Sequence, residues 1–458
     1  MTKTRTSIGR WMVIGLAFFA MPEVAVAQGR PGGSPRPDAA IQMRPLVPPA
    51  PGVAGPQSRP SAIPQLPSVP VTPEAAAGRM SHAGQAQGVA DAVLQAPARS
   101  RAQIQRSNGI LQADPFGWPV VSGEIVAIGL SDRARAEALG LGYHLIREES
   151  LPDLEMDVLV FSPPAGQQLS DAVERLARLD PQADIGFNHV YSPAGAVSMA
   201  PSPVIAPQRV GSSVRLGLID TGVAAHPALA GSDITQQGFA GPVHPGAHGT
   251  AVASLMVGEA GFFSGTAPGA GLLVADVYGG SAAGGSSTAL ARALAWMSSQ
   301  RIRVVNVSLV GPRNPVVARA VAQAQARGMT IVAAVGNDGP AAPPLYPAAY
   351  EGVIGVSAVN GRGRPLPETG RGPQVDFSAP GADIAAASVS GGYVTVRGSS
   401  FAAPLVAGLI ARHGETNVAR HARDMGAPGR DDIYGRGLVG NDMTVAPRAV
   451  GAHGALRR

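Results

Sequence analysis

Two stretches of this chain are apolar without alternation, and each runs into a glycine-containing turn that carries a polar residue. "VRLGLIDTG" delivers Asp220 after residues 214–219, and "TIVAAVGNDG" delivers Asn337 after a similar run. A strand of that composition is buried on both faces, as in a parallel sheet covered by helices. Open parallel sheets gather ligands and reacting groups at the carboxyl ends of their strands, where both residues stand. The expected fold class is therefore α/β, a mostly parallel sheet flanked by helices. A lone Asp in such a place is often only a turn residue, so Asp220 needs company before it carries chemistry.

Composition limits how much of the chain belongs to that sheet. The 458 residues include 59 Gly, 42 Pro and no Cys, which excludes disulfides and thiolate metal sites. Residues 1–27 read as an export signal: Lys3, Arg5 and Arg10 lead into the apolar "WMVIGLAFFAM", and Ala25-Val26-Ala27 offers small residues before a cut at Gln28. That reading expects a secreted, periplasmic or cell-envelope protein with no stable membrane insertion after cleavage. An uncleaved anchor is the alternative. Residues 28–122 read as a Pro/Gly/Ala-rich disordered linker, with thirteen prolines between 28 and 75. A Pro-rich recognition arm is the other reading of that segment.

Charge divides the rest of the chain. Residues 123–193 hold 5 Arg against 12 Asp and Glu, a net of −7; residues 214–440 hold 16 Arg against 13 acids, a net of +3. No basic stripe with interleaved aromatics occurs, so the overall +5 does not indicate a nucleic-acid partner. An acidic small domain beside a basic larger one suggests docking. Within 123–193 the pattern is β-α-β-β-α-β, from "GEIVAIGL" through "LSDAVERLARL" to "ADIGFNHVYS", the order of a ferredoxin-like unit. Residues 194–213 read as a linker containing a processing site, 214–440 as the main domain and 441–458 as a tail.

Two further segments accompany Asp220. "HGTAVASLMVG" sets His248 ahead of an apolar helix, and "RGSSFAAPLVAG" sets Ser400 at the start of another. His244 and His248 have i,i+4 spacing, but Pro245 and Gly246 interrupt the helix a metal pair needs. Serines before a helix are ordinarily N-caps. They are also where backbone N–H groups and a positive dipole end await an oxyanion. Serine needs a base to act as a nucleophile, imidazole is that base near neutral pH, and a carboxylate fixes its tautomer. His226, His244 and His413 are expected to lie outside this set and to be replaceable.

"DTG" (220–222), "HGT" (248–250), "GND" (336–338) and "GSSFAAP" (398–404) together resemble the subtilisin-like serine proteases, in that family's own order. "NVSLVGP" (306–312), "YPAAYEGVIGVSAV" (346–359) and "FSAPG" (377–381) extend the resemblance over residues 213–440. The chain departs from the family at Ala251 (usually His), Ser399 (Thr), Phe401 (Met) and Ala403 (Ser). The resemblance implies a serine endopeptidase in which Asp220 orients, His248 is the general base, Ser400 attacks and Asn337 stabilises the oxyanion. It implies that residues 123–193 are a propeptide that chaperones and inhibits. Polypeptide substrates and this propeptide-like domain are then the partners. Substrate is expected as an added strand between Ser308, Leu309, Val310 and Gly311 on one side and the Gly284–Gly285 loop on the other, with Val335 and Gly336 bordering the pocket for the residue before the scissile bond. Val310 and Val335 are expected to narrow that pocket to Ala, Ser or Gly. No cofactor and no metal are assigned; calcium lacks identifiable ligands in the short loop between Asp220 and His248. Two other readings stay open: a catalytically idle envelope-binding protein, and a dedicated processing protease with one partner substrate.

Overall fold

The computed structural model describes residues 98–198 and 213–452. The signal reading at 1–27, the linker up to residue 97, residues 199–212 and the last six residues lie outside the described residues.

The chain enters through α1 (Ala98–Arg106) and β1 (Leu111–Ala113). A small domain comes next: β2 (Pro119–Ile128), α2 (Asp132–Gly140), β3 (His144–Leu151), β4 (Met156–Ser162), α3 (Leu169–Leu179) and β5 (Asp184–His189). Its antiparallel order β5-β2-β4-β3 is ferredoxin-like, as expected. The linker reading up to residue 122 overshoots, because β2 starts at Pro119 and α1 and β1 precede it. Residues 98–113 contain no proline, so nothing there prevents a helix, and Ser107 and Asp114 close the connecting turns by hydrogen bonds to Leu111 N, Phe116 N and Trp118 N.

Strand periodicity divides this small domain's apolar residues between two cores. Ile125 and Ala127 face α2 and α3, packing with Tyr143, Phe161 and Leu176. Val126 and Ile128 point the other way, and with Met156, Val158 and Val160 they join the core of the large domain. A domain this small gains much of its buried surface from its neighbour.

After β5 come β6 (Ser192–Pro193) and β7 (Ala196–Val197), then the large domain: β8 (Arg215–Asp220), β9 (Ile234–Gly238), α4 (Ala247–Val257), the hairpin β10 (Glu259–Ala260) and β11 (Phe263–Ser264), β12 (Gly271–Asp276), α5 (Ser287–Ser299), β13 (Val304–Val307), β14 (Leu309–Val310), α6 (Pro315–Ala326), β15 (Thr330–Ala334), β16 (Ile354–Val359), β17 (Phe377–Pro380), β18 (Ala382–Ala387), β19 (Tyr393–Arg397), α7 (Ser399–His413) and α8 (Glu415–His421). Seven parallel strands stand in the order β17-β16-β15-β13-β8-β12-β9. Helices α4 and α7 cover one face and α5 and α6 the other. The α/β expectation holds.

The small domain sits on α5 and α6. Asn314 is the hinge of that contact, fully buried. Its Oδ1 accepts from Val316 N and Val317 N, capping α6, while its Nδ2 donates to the Phe187 carbonyl at 2.9 Å and to His189 Nδ1 at 3.0 Å. The other nitrogen of His189 meets Asp114 Oδ2 at 3.1 Å. Arg319–Asp184, Arg327–Glu155 and Arg292–Glu149 ion pairs rim the contact, each basic residue on the large domain and each acid on the small one. The sequence reading of 441–458 as a simple tail is also corrected. Residues 447–450 form a 3-10 turn, and Val450 and Ala452 are buried against Phe263 and Tyr393. Those two apolar side chains cover the edge of a core that β18 and β19 would otherwise leave wet.

Candidate active site

Each candidate site residue arrives on an element whose sequence explains its place. β8 is wholly apolar between Leu216 and Ile219 and ends on Asp220, which is fully buried. α4 starts at Ala247 after Gly246, so His248 lies in its first turn. Both Asp220 oxygens meet His248 Nδ1, at 2.9 and 2.8 Å, and Asp220 Oδ1 also accepts from Thr221 N at 2.7 Å. That pairing puts the proton on Nδ1 and leaves Nε2 with its lone pair. Nε2 is buried and has no hydrogen-bond partner among the described residues.

Ser400 lies in the first turn of α7. Its N-cap is Gly398 at φ 132°, and a Cβ there would come within 2.7 Å of Gly195 Cα, 2.8 Å of the Ala194 oxygen and 2.9 Å of Asn337 Nδ2. Only glycine fits. The Ser400 hydroxyl donates to the Ser308 carbonyl at 3.0 Å rather than to His248. Ser308 in turn donates its own hydroxyl to the Ser400 carbonyl at 2.9 Å and accepts from Asn306 Nδ2 at 2.8 Å. Asn337 follows β15 by a short turn. Its Oδ1 accepts from Ser399 N at 3.0 Å and its Nδ2 donates to the Ala194 carbonyl, which sets the amide orientation from both ends, while Ser399 Oγ accepts from Gly336 N at 3.1 Å.

A segment of the chain itself occupies the cleft. β6 pairs antiparallel with β14, Pro193 opposite Leu309 and Ser192 opposite Val310, while Val190 bridges Ser286 and Tyr191 N donates to the Gly285 carbonyl at 2.8 Å. Ala194 N donates to the Ser308 carbonyl at 3.2 Å. The Ala194 carbonyl receives the Ser400 N–H at 3.0 Å and the Asn337 amide. Downstream, β7 pairs with β19. Residues 194–198 are thus tied down by the strand Ala196–Val197 and by hydrogen bonds of Ala194 and Ser198, not left as the free linker the composition suggests.

The pocket residues divide. Val310 shares an apolar cluster with Ala194, and Leu345 joins them. Leu345 also crowds Gly336, where a Cβ would lie 2.6 Å from its Cδ1. Val335 differs from expectation: its methyls lie near Gly355 and Gly370, and it belongs to the opposite core. As the last apolar residue beyond β15, it takes the alternate direction from Gly336 and the turn. Gly311 and Gly285 lie beside Tyr191, whose hydroxyl donates to the Pro312 carbonyl at 2.9 Å. Gly284 shapes the turn, since a Cβ on it would strike the Tyr278 backbone. Sequence reasoning missed Leu345, Tyr191 and Tyr278, which donates its hydroxyl to the Tyr191 carbonyl. They lie on loops with no periodicity. It also missed Arg99 on α1, which pairs with Asp338 at 2.9 Å, and Gln103, which accepts from the Ser192 hydroxyl. Burial raises Asp338 above the usual carboxylate range, and Arg99 opposes the shift.

His226 is no bystander either. It is buried, accepts from Ala228 N at 3.0 Å through Nδ1 and reaches the Gly392 carbonyl at 2.7 Å through Nε2. Among the described residues no three His, Asp or Glu side chains gather as a metal site.

An aspartate at a strand end, a histidine and a serine on two helix starts, and an amide facing the serine N–H together define a fold-and-site class that comparison makes specific. A model of the subtilase family (Peptidase S8) matches residues 211–422. Subtilisin Savinase from Lederbergia lenta is 30% identical over 249 residues, covering 50% of this chain and 89% of that protein. The chain belongs to the subtilase family. Minor extracellular protease Epr from Bacillus subtilis is 30% identical over 245 residues, and the match spans 38% of its length. Among solved structures, fervidolysin from Fervidobacterium pennivorans, a keratinolytic enzyme related to subtilisin, aligns at TM-score 0.59 and 19% identity, over 70% of this chain and 60% of that one. That likeness extends to the fold.

Proposed function

We propose that the chain is a serine endopeptidase made as a self-processing zymogen, with Asp220, His248 and Ser400 as its triad. The observation that carries this is the Ala194 carbonyl, held by the Ser400 N–H and the Asn337 amide beside a serine hydroxyl. Two donors on one carbonyl are what a tetrahedral oxyanion requires. The reaction begins when the Ser400 side chain turns from the Ser308 carbonyl toward His248 Nε2. Oγ then attacks the Ala194 carbonyl carbon while Nε2 takes its proton and Asp220 stabilises the imidazolium. Collapse breaks the bond to Gly195 nitrogen, which leaves with that proton. Water deprotonated by His248 hydrolyses the acyl-enzyme and restores the hydroxyl. No cofactor enters this scheme.

Residues 98–193 act as inhibitor and folding partner in this reading, supported by their shared core with α5 and α6 and by the ion pairs at its rim. Export to the periplasm or beyond is supported by the pattern at residues 1–27. Among the described residues, no helix is long and apolar enough to cross a membrane. The test is labelling of the full chain, after self-processing and at high dilution so that the cleaved strand leaves the cleft, by a serine-directed fluorophosphonate, with Ser400→Ala carried through the same steps as control. Labelling of the parent alone supports the reading; labelling of both proteins or of neither removes it.

A further inference from the structure

We propose that this active site selects glycine as the residue immediately after the cleaved bond, and that Phe401 enforces the choice. The inference rests on the endopeptidase reading and names the substrate class of that site. Gly195 follows the Ala194 carbonyl. A Cβ built on it would stand 2.5 Å from Phe401 Cε2, 3.1 Å from Phe401 Cδ2 and 3.2 Å from the Arg397 carbonyl oxygen. Carbon atoms do not approach that closely, so something must move.

Neither neighbour moves freely. The Phe401 ring is fully buried and lies against the His248 ring, with centroids 5.2 Å apart at 52°. A push away from Gly195 therefore displaces the ring that supports the general base. The substrate strand is pinned as well, because Ala196 and Val197 pair with Arg397 and Val396. The resemblance to the family puts methionine at the position of Phe401, and a thioether chain yields by rotating its bonds where a flat ring does not. A residue with a Cβ after the scissile bond thus costs either the imidazole's position or the downstream pairing. Both losses fall on the bond-breaking step more than on binding, since the upstream contacts of residues 190–194 are untouched. The substrates are extended segments in which a small residue precedes glycine, a narrow class suited to processing and ill suited to general digestion.

The experiment compares two synthetic peptides, Tyr-Ser-Pro-Ala-Gly-Ala-Val and Tyr-Ser-Pro-Ala-Ala-Ala-Val, with wild-type protein prepared as the full chain and allowed to process itself. The alanine peptide should show a kcat/KM about 10- to 100-fold lower, expressed in kcat more than in KM. Full-length Gly195→Ala should process more slowly by a similar factor. Phe401→Ala should bring the two peptides' rates together; if that variant does not fold, Phe401→Met carries the comparison. Equal rates with the wild type, or a ratio unchanged by the Phe401 variants, overturn the assignment. Fluorophosphonate labelling of each processed preparation, diluted until the cleaved strand no longer blocks the cleft, separates the causes. A labelled enzyme without glycine preference sinks this inference alone, whereas an unlabelled wild type sinks the endopeptidase reading and this inference with it.

Discussion

Ser400, His248 and Asn337 differ in what their loss should do. Ser400→Ala and His248→Ala are each expected to lower turnover by about 10⁶-fold, the scale known from subtilisin's own triad, because neither works without the other. Asn337→Ala is expected to lower it only about 10²–10³-fold, since the Ser400 N–H remains as a second donor. Steady-state rates on one peptide, with fluorophosphonate titration of active sites, check both. Val310 makes a separate prediction. It shares a cluster with Ala194, so Val310→Gly should widen acceptance toward Phe and Tyr before the scissile bond, and a peptide library reads that directly. Val335→Gly should leave that specificity alone, because its methyls face Gly355 and Gly370. His226 sets a pH dependence. Burial lowers its pKa in the folded state below the ordinary value near 6.5, outweighing the hydrogen bond to the Gly392 carbonyl. Below that ordinary value the unfolded chain takes up the proton first. Stability should fall as pH drops from about 6.5 to the lower folded-state pKa, then level off for this group. His226→Gln should flatten that part of a urea-denaturation series and lower stability at neutral pH.

The strands and helices of the core were legible because their chemistry is local. An unbroken apolar run such as residues 216–219 of β8 has one comfortable home, between two layers of helix. The three residues proposed as the triad stood out for the same reason, each lying at an element's end. What sequence left dark depends on contact between distant residues. Nothing in "APPLYPAAY" announces that Leu345 packs with Val310 and Ala194 and crowds Gly336, and nothing in "ARSRAQIQR" announces that Arg99 reaches Asp338. Direction along a turn is equally hidden, which is why sequence alone places Val335 beside Val310. Asn314 shows how one side chain joins local and distant roles: its oxygen caps α6 and its amide grips β5 and His189. Asn314→Ala should cost about 1–3 kcal/mol, more than a cap alone, because two buried acceptors lose their donor. Urea denaturation of the full-length Ser400→Ala protein, which holds its small domain uncut, measures it. A loss no larger than a surface cap's would show that the amide contributes nothing to docking.

The acidic small domain and the basic large one share a continuous apolar core, rimmed by three ion pairs in which the large domain supplies the arginine. Residues 195–458 expressed alone should fold poorly or remain inactive, and residues 98–194 added in trans should rescue them. Rescue should slow as salt rises, because exposed charge pairs speed and orient docking and are screened within about 8–10 Å at moderate ionic strength. Full activity of the truncated chain without rescue would remove the chaperone role.

On the zymogen reading proposed above, the bond from Ala194 to Gly195 also fixes a concentration. While it is whole, the strand in the cleft is tethered to the site it blocks, at an effective concentration on the order of millimolar or above. Hydrolysis leaves residues 190–194 attached to the small domain and Gly195 attached to β7, which stays paired with β19. The occupant then becomes an ordinary ligand, and its hold depends on how much of it surrounds the enzyme. Dilution alone becomes an activator: a processed sample that is silent when concentrated should gain specific activity as it is thinned.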